Sequence, residues 1–273
     1  MLIRSLAGAA ALVLTATLAS VVPAVDPIAA AEPASAPVGR AANHPVTEIV
    51  GQFDGGLPRL RARQVHLSTS RWGYRFIGGR IGQRLTITEV GGRLHFVDRA
   101  ARSWKKIPPT CRRMRVPGAA AVSCAILGGD RPYLEIWPRL GHDSVDGHTL
   151  PARHRMWVLG DAGNETVRLG AGADFTNGAM GSDRISGGAG NDWIRSAKGR
   201  NVVDGGPGND RIAGGDQSER LAGGTGNDRI YGAGGNDALR GDAGRDVLSC
   251  GGGRDTAVRD AADRLSRCEV VRR

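Results

Sequence analysis

One nine-residue phrase recurs in the C-terminal half of the chain: GGAGNDWIR at Gly187–Arg195, GGPGNDRIA at Gly205–Ala213 and GGTGNDRIY at Gly223–Tyr231. Its pattern is G-G-x-G-x-D-x-U-x, where U is a large apolar residue. The register holds for eleven contiguous units from Gly160 to Val258, three of them perfect and eight near copies. A short fixed period is the signature of a repeat architecture in which each unit stacks on its neighbours.

Each unit combines a glycine-rich turn with a short strand. Glycine reaches positive φ without steric cost, so positions one to six predict a tight turn with inward-pointing carbonyls. Positions seven to nine predict a three-residue strand, in which only position eight faces the core because side chains alternate along a strand. Val, Ile or Leu fills position eight in most units. A single unit cannot bury that side chain alone, so the units must stack.

The array resembles the repeats-in-toxin (RTX) family, the hemolysin-type calcium-binding repeats, in its secreted actinobacterial form. The resemblance covers about a third of the chain. It implies an all-β fold, with a C-terminal right-handed parallel β-roll of two nonapeptides per coil, preceded by a small disulfide-bonded β-rich domain. Successive strands then alternate between two facing sheets, and turns two units apart stack on one edge.

That stacking sorts the position-six side chains into two columns. The even column is Asp174, Asp192, Asp210, Asp228 and Asp246, and the odd column is Glu165, Asp183, Asn201, Glu219, Asp237 and Asp255. At a strand spacing of about 4.8 Å, two carboxylates repel by about 3 kcal/mol at an effective dielectric of about 20. A calcium ion between the turns would turn this repulsion into attraction, because calcium binds carboxylate and carbonyl oxygens in flexible geometry. Magnesium fits less well, because it demands a rigid octahedron. The sequence therefore predicts several calcium ions.

The columns predict a ranked set of sites. The best sites are expected between adjacent aspartates of the even column, and Asp237/Asp255 is the competent odd pair. The odd column is expected to be interrupted, because Asn201 has no charge and Glu219 is one methylene longer than aspartate; Glu165/Asp183 is a weaker candidate. The predicted carbonyl ligands belong to Gly187, Gly188, Gly190, Gly205, Gly206, Gly208, Gly223, Gly224 and Gly226. The alternative is a calcium-free solenoid, whose core of one apolar residue in nine would be thin.

The N-terminus predicts export. Residues 1–31 contain Arg4, an apolar stretch from Leu6 to Val22 and small residues before Glu32, which is the layout of a secretory signal peptide. An uncleaved membrane anchor is the alternative. Residues 32–44 are rich in Ala and Pro and predict a disordered linker. A secreted, extracellular location supplies calcium and permits disulfide bonds.

The four cysteines fit that compartment. Cys111 and Cys124 bracket one loop, and Cys250 and Cys268 bracket the end of the array. Four cysteines allow three connectivities, of which the two local pairings are favoured. The second pairing would pin residues 259–273 to the last coil as a cap, which solenoids need.

Residues 45–143 predict the small β-rich domain, followed by a connector at 144–159. Expected strands are Val65–Ser68, Trp72–Ile77, Arg84–Val90, Arg93–Val97, Val122–Leu127 and Tyr133–Trp137. The alternating aromatic residues Trp72, Tyr74 and Phe76 are expected to share one face and pack in the core. Residues 140–146, LGHDSVD, read as a lapsed repeat, so Asp143 is a weak candidate calcium ligand.

The net positive charge is concentrated in residues 40–159. The chain carries a net charge of +10, with eight acidic and twenty basic side chains at residues 40–159 against fourteen acidic and eleven basic at 160–258. Arg59, Arg61 and Arg63, and the group Arg112, Arg113 and Arg115, suggest either an ordinary solvated surface or a site for an anionic surface polymer. Nucleic acid is not the favoured partner.

No catalytic motif is recognisable. The chain has no HExxH and no G-x-S-x-G, and a lone S-x-x-K at Ser103–Lys106 lacks its companion motifs. The sequence therefore predicts a calcium-binding protein of structural or adhesive role, with an anionic-ligand-binding protein and an unrecognised secreted hydrolase as alternatives.

Overall fold

The structure, a computed structural model, describes residues 60–70, 72–127 and 133–272. The predicted signal peptide, the predicted linker and Arg59 lie outside the described residues. The described residues belong to one compact unit. No helix long and apolar enough to cross a membrane occurs within these described ranges.

The described residues form an all-β fold, as predicted. The strands before the repeats are β1 Gln64–Thr69, β2 Gly73–Ile77, β3 Arg84–Val90, β4 Arg93–Asp98, β5 Ser103–Lys106, β6 Cys111–Met114, β7 Ala120–Ala125, β8 Tyr133–Trp137, β9 Ser144–Asp146 and β10 Arg155–Leu159. The repeat strands are β11 Thr166–Arg168, β12 Phe175–Asn177, β13 Arg184–Ser186, β14 Trp193–Arg195, β15 Val202–Pro207, β16 Arg211–Ala213, β17 Arg220–Thr225, β18 Arg229–Gly234, β19 Ala238–Ala243, β20 Val247–Gly252 and β21 Thr256–Val258. The last two are β22 Arg264–Ser266 and β23 Val270–Arg272.

Successive strands alternate between two sheets. In the described residues, one sheet runs β22-β20-β18-β16-β14-β12-β10-β8-β2-β1-β5 and the other β23-β21-β19-β17-β15-β13-β11-β9-β3-β4-β7-β6. We call them sheet A and sheet B. All repeat strands pair in parallel with the strand two units away, for example Ile194 with Ile212 and Ile212 with Ile230. The structure is therefore a parallel β-solenoid with two nonapeptides per coil.

The position-eight side chains form the predicted inner stack. All eleven are at most 2% exposed, and all but Thr176 belong to one apolar cluster that continues into the N-terminal strands. One apolar side chain per unit is thus buried only because the next unit covers it. Thr176 places a hydroxyl in this stack that has no hydrogen-bond partner.

Several repeat strands are longer than predicted. Strands β15, β17, β18, β19 and β20 each contain six residues rather than three, because they continue through the first glycines of the next unit. The extension pairs turn residues across coils, as in Gly206 with Gly224 and Gly224 with Asp242. The turns therefore add backbone hydrogen bonds to the solenoid.

The N-terminal strands extend both sheets of the solenoid. Strand β2 pairs in parallel with β8, and β3 pairs in parallel with β9. No break occurs in either sheet at residue 143, where composition placed a domain boundary. Strands β5 and β6, which are among those that the sequence analysis missed, form the edges of sheets A and B at this end.

The aromatic residues of β2 pack largely as predicted. Tyr74 and Phe76 are fully buried, and their rings meet Phe96 and Trp104 edge-on at 5.7 and 6.1 Å. Trp72 is only half-buried and meets Tyr133 instead. The N-terminal strands thus contribute the largest side chains of the shared core.

Both local disulfides are present, which confirms the favoured connectivity. Cys111–Cys124 joins the antiparallel pair β6 and β7, and Cys250–Cys268 joins the last repeat to the C-terminal tail. No free cysteine occurs among the described residues. The second disulfide anchors the C-terminal tail, which contributes β22 and β23 as the final strands of the two sheets.

The turn glycines are expected to be essential where two turns touch. Gly208 has φ +148°, and a Cβ there would lie 1.6 Å from the Gly190 carbonyl oxygen. Gly208→Ala should lower the unfolding free energy by more than the roughly 1–3 kcal/mol that such a sparsely populated backbone conformation costs alone, measured by urea denaturation in calcium. Gly234 is the matched control, because a Cβ there meets nothing closer than 3.7 Å; equal losses in both variants would contradict the stacking.

Candidate metal centre: two carboxylate columns

The position-six side chains stack in the two predicted columns. Each residue directly precedes a repeat strand, so the parallel pairing of those strands fixes its height in the stack. The even column lies before sheet A strands and the odd column before sheet B strands. All eleven position-six residues are at most 3% exposed. A set of carboxylates is therefore held in the interior, where charge is costly without compensation.

One oxygen of each column aspartate is used by the fold. The Oδ1 atom accepts the backbone N–H of the position-six residue 18 positions earlier, as Asp210 does from Asp192 and Asp228 does from Asp210, both at 2.8 Å. Asp174 accepts the N–H of Met156 in the same way. These bonds orient the aspartate carboxylates toward the preceding coil.

The second oxygen is left without a partner in every column aspartate except Asp174, whose Oδ2 accepts the Gly170 N–H at 2.9 Å. The column aspartates whose buried Oδ2 has no hydrogen-bond partner are Asp183, Asp192, Asp210, Asp228, Asp237, Asp246 and Asp255. This oxygen lies against the first glycine of its own turn: a Cβ on Gly205 would come within 2.4 Å of Asp210 Oδ2, and one on Gly223 within 2.2 Å of Asp228 Oδ2. Glycine at position one therefore leaves room for the carboxylate beside the turn carbonyls.

Burial also raises the pKa values of the even column. Desolvation raises the pKa of Asp192 to about 9, and the charges of Asp174 and Asp210 push it in the same direction. Desolvation, followed by the nearby charge of Asp228, raises the pKa of Asp210 to about 7. The pKa of Asp228 rises to about 6 from burial and the charge of Asp246. Burial therefore favours the neutral, protonated form of these carboxyl groups, and a bound cation would favour the ionised form.

The odd column departs from this pattern at its non-aspartate members. Asn201 donates from its amide nitrogen to the carbonyls of Ala197 and Gly199 in its own turn, which engages two carbonyls at that level. Both carboxylate oxygens of Glu165 lack partners. Glu219 uses one oxygen for Gly215 N–H and leaves the other without a partner. The odd column therefore departs from the aspartate arrangement at these three residues, and its interruption as a row of calcium sites stays a prediction.

Both columns extend beyond the eleven units. Asp143 precedes β9, accepts the Gln83 N–H and keeps its other oxygen without a partner; burial raises its pKa to about 7. At the other end, Asp263 accepts the Asp246 N–H at 3.0 Å, and Glu269 accepts the Asp255 N–H at 2.9 Å. Sequence reasoning missed Asp263 and Glu269, because they break the 18-residue spacing.

The turns are tied together by a second ladder that the sequence analysis also missed. Position five is asparagine in most of the best turns, and its side-chain oxygen accepts the N–H of the residue 18 positions later, as Asn191 does from Asn209 and Asn209 from Asn227. These side chains are exposed at the turn edge. The asparagine that recurs at position five, directly before the position-six aspartate, was the sequence feature that could have predicted this ladder.

The residues fit a hard divalent cation. Each pair of stacked turns offers unpartnered carboxylate oxygens beside glycine-rich backbone, and calcium is bound by such oxygens. In the part of the chain that the structure describes, no three His, Cys, Asp or Glu side chains gather in a metal-binding group. Two carboxylates alone do not complete the six to eight ligands that calcium takes, so the turn carbonyls would supply the rest. The ion would offset the repulsion within each column.

Comparison with known proteins agrees with this geometry. The family model of the RTX calcium-binding nonapeptide repeat matches residues 157–176, 177–212 and 213–248. No curated protein and no solved structure matched the chain. The matched residues contain the whole even column and most of the odd column. Residues 157–248 are therefore RTX calcium-binding nonapeptide repeats, and such repeats bind Ca²⁺ at several sites.

Proposed function

We propose that this is a secreted protein of structural or adhesive role, whose β-solenoid folds when it binds extracellular calcium. The observation that carries the proposal is the row of buried, unpartnered aspartate oxygens in the even column. A buried acceptor without a donor costs free energy comparable to a lost hydrogen bond or more, so the array is poorly stable until a cation arrives. No catalytic motif occurs in the sequence, which favours a non-enzymatic role.

Two further features support export. The N-terminal layout of residues 1–31 is that of a secretory signal peptide. All four cysteines form disulfides, and disulfides persist in oxidising compartments outside the cytosol. Calcium-dependent folding suits such a protein, because the chain meets high calcium only after it leaves the cell.

Isothermal calorimetry of the purified protein tests this function. The four even pairs and Asp237/Asp255 predict at least five bound calcium ions, and magnesium at the same concentration is expected to bind far more weakly because it demands rigid octahedral geometry. Absence of calcium heat, or equal affinity for both metals, would contradict the proposal.

A second candidate function is binding of an anionic surface polymer at the N-terminal end. The exposed residues Arg112, Arg113 and Arg115 lie on or beside edge strand β6, and exposed Lys105 and Lys106 lie on edge strand β5. The two basic strands are therefore the edge strands of sheets A and B at the N-terminal end of the solenoid. Basic side chains also protect edge strands from pairing with other chains, so the charge alone does not decide between the two roles.

Chromatography on a heparin-type matrix in calcium decides it. Replacing Arg112, Arg113 and Arg115 by glutamine is expected to lower the salt concentration of elution, because the interaction of exposed charges is screened by salt. The control replaces three exposed arginines of the array, Arg184, Arg220 and Arg229, and removes the same charge. Equal elution of the two triple variants would show that the N-terminal arginines form no specific site.

A further inference from the structure

We propose that the C-terminal cap, residues 259–273, supplies ligands for two further calcium sites, through Asp263 at the end of the even column and Glu269 at the end of the odd column. The inference rests on the proposed calcium-binding function and extends it to residues outside the repeat. The RTX family match ends at residue 248. Asp263 follows Asp246 by 17 residues and Glu269 follows Asp255 by 14, rather than the 18 of the array.

Asp263 stands where the next even aspartate would stand. Its Oδ1 accepts the Asp246 N–H at 3.0 Å, just as Asp246 Oδ1 accepts the Asp228 N–H at 2.8 Å. Strand β22 follows it directly and pairs with β20 in the register of the interior strands, Val247 beside Arg264. Asp263 is 6% exposed. The cap therefore repeats the carboxylate geometry of a unit without its sequence pattern.

The orientation of Asp263 is fixed from a second side. Its Oδ2 accepts the N–H of Asp260 at 2.9 Å, and the Asp260 side chain accepts the N–H of Ala262. Residues 260–263 thus form a tight turn that holds one carboxylate against the last even coil. Opposite it, Asp246 is 1% exposed and its Oδ2 has no hydrogen-bond partner. A buried acceptor next to another carboxylate indicates a cation-binding position.

Glu269 ends the odd column in a different way. Its Oε2 accepts the Asp255 N–H at 2.9 Å, while Asp255 is fully buried and its Oδ2 has no partner. Strand β23 then pairs with β21, Thr256 beside Val270. Within the array, glutamate at position six disturbs the column, as Glu219 shows. Here the connection is four residues shorter, and the longer side chain restores the bond to the preceding coil.

The Cys250–Cys268 disulfide holds the odd end together. Cys250 occupies position one of the last unit and is fully buried, and Cys268 directly precedes Glu269. The cross-link brings the two Cα atoms to 5.1 Å, which places Glu269 over Asp255. The odd terminal site therefore depends on the intact disulfide, whereas the even terminal site depends on the 260–263 turn.

Native mass spectrometry of the full chain in calcium tests the inference by counting bound ions. Asp263→Asn and Glu269→Gln are each expected to bind one ion fewer than the parent. Glu269→Gln keeps an acceptor oxygen for the Asp255 N–H, and Asp263→Asn keeps one of the two acceptor oxygens of Asp263. Both changes keep the side-chain shape, so far-UV circular dichroism in saturating calcium should match the parent. The control is Asp204→Asn, an exposed carboxylate outside both columns, which is expected to keep the parent ion count.

The outcomes separate the cap from the array. If both variants bind as many ions as the parent, the cap is only a structural lid and the inference is wrong. If the parent binds no calcium, the proposed function itself fails. The Cys250→Ser/Cys268→Ser double variant is expected to lose the Glu269 ion and keep the interior ions; a full ion count there would contradict the role assigned to the disulfide.

Discussion

Replacing Asp210 by alanine is expected to remove two calcium ions and to destabilise the folded protein strongly. Asp210 Oδ1 holds the Asp192 N–H, its own N–H is held by Asp228 Oδ1, and its Oδ2 has no partner. The residue thus borders the metal positions on both of its sides. An ion at a hundred times its dissociation constant stabilises a fold by about 2.7 kcal/mol, so losing two costs about 5 kcal/mol at that concentration.

Asn201→Ala is the matched control at the same position of another unit. Asn201 accepts the Asp183 N–H and donates to two carbonyls of its own turn. Removing these bonds should lower stability, by about 0.5–1.5 kcal/mol for each net hydrogen bond, and leave the number of ions unchanged. Calorimetric ion counts and urea denaturation in calcium separate the two effects. An unchanged ion count in Asp210→Ala would contradict the assignment of the even column.

The calcium-free protein is expected to gain stability in acid. Burial raises the pKa values of Asp174 and Asp210 to about 7, that of Asp228 to about 6 and that of Asp192 to about 9, from an ordinary 3.8. At pH values between the ordinary pKa of 3.8 and these raised values, the folded chain binds more protons than the unfolded chain. The stability of the calcium-free protein therefore falls as the pH rises. The loss is about 1.4 kcal/mol for each pH unit in which one carboxyl is protonated only in the fold.

The dependence of stability on pH is expected to have the opposite sign when calcium is bound. Calcium requires ionised carboxylates and is displaced by protons, so the calcium-bound protein should lose stability between pH 8 and pH 5, while the chelated protein gains it. Thermal denaturation at the two pH values, with calcium and with chelator, measures both slopes. If both forms became less stable in acid, the columns would not be the groups that control folding.

The repeat strands were predictable because one short period sets several properties at once. Glycine at position one, a carboxylate at position six and an apolar residue at position eight each recur every nine residues, so a single register predicted the inner stack and the two columns. The longer strands β15 and β17–β20 were not predicted, because glycine has low strand propensity. In the structure these glycines pair because the neighbouring turn, two units away, presents its own backbone.

The ends of the molecule were harder to predict. Strands β5 and β6 carry charged sequences, SWKK and CRRM, since they are edge strands with few buried positions. The continuity of β2 with β8 and of β3 with β9 depends on long-range pairing that no local pattern reports. Asp263 and Glu269 were missed for the same reason: each reaches its column through a shorter connection, so only the three-dimensional pairing brings it into line.

The central claim is that stacked glycine turns become stable when their carboxylates share a divalent cation. Hydrogen–deuterium exchange at pH 7.5, in millimolar calcium and in excess chelator, tests it most directly. The amides of the column residues, such as Asp192 and Asp210, should be strongly protected in calcium and exchange rapidly in chelator. Equal protection in both conditions would contradict the account, since the solenoid would then be held by its apolar stack and hydrogen bonds alone.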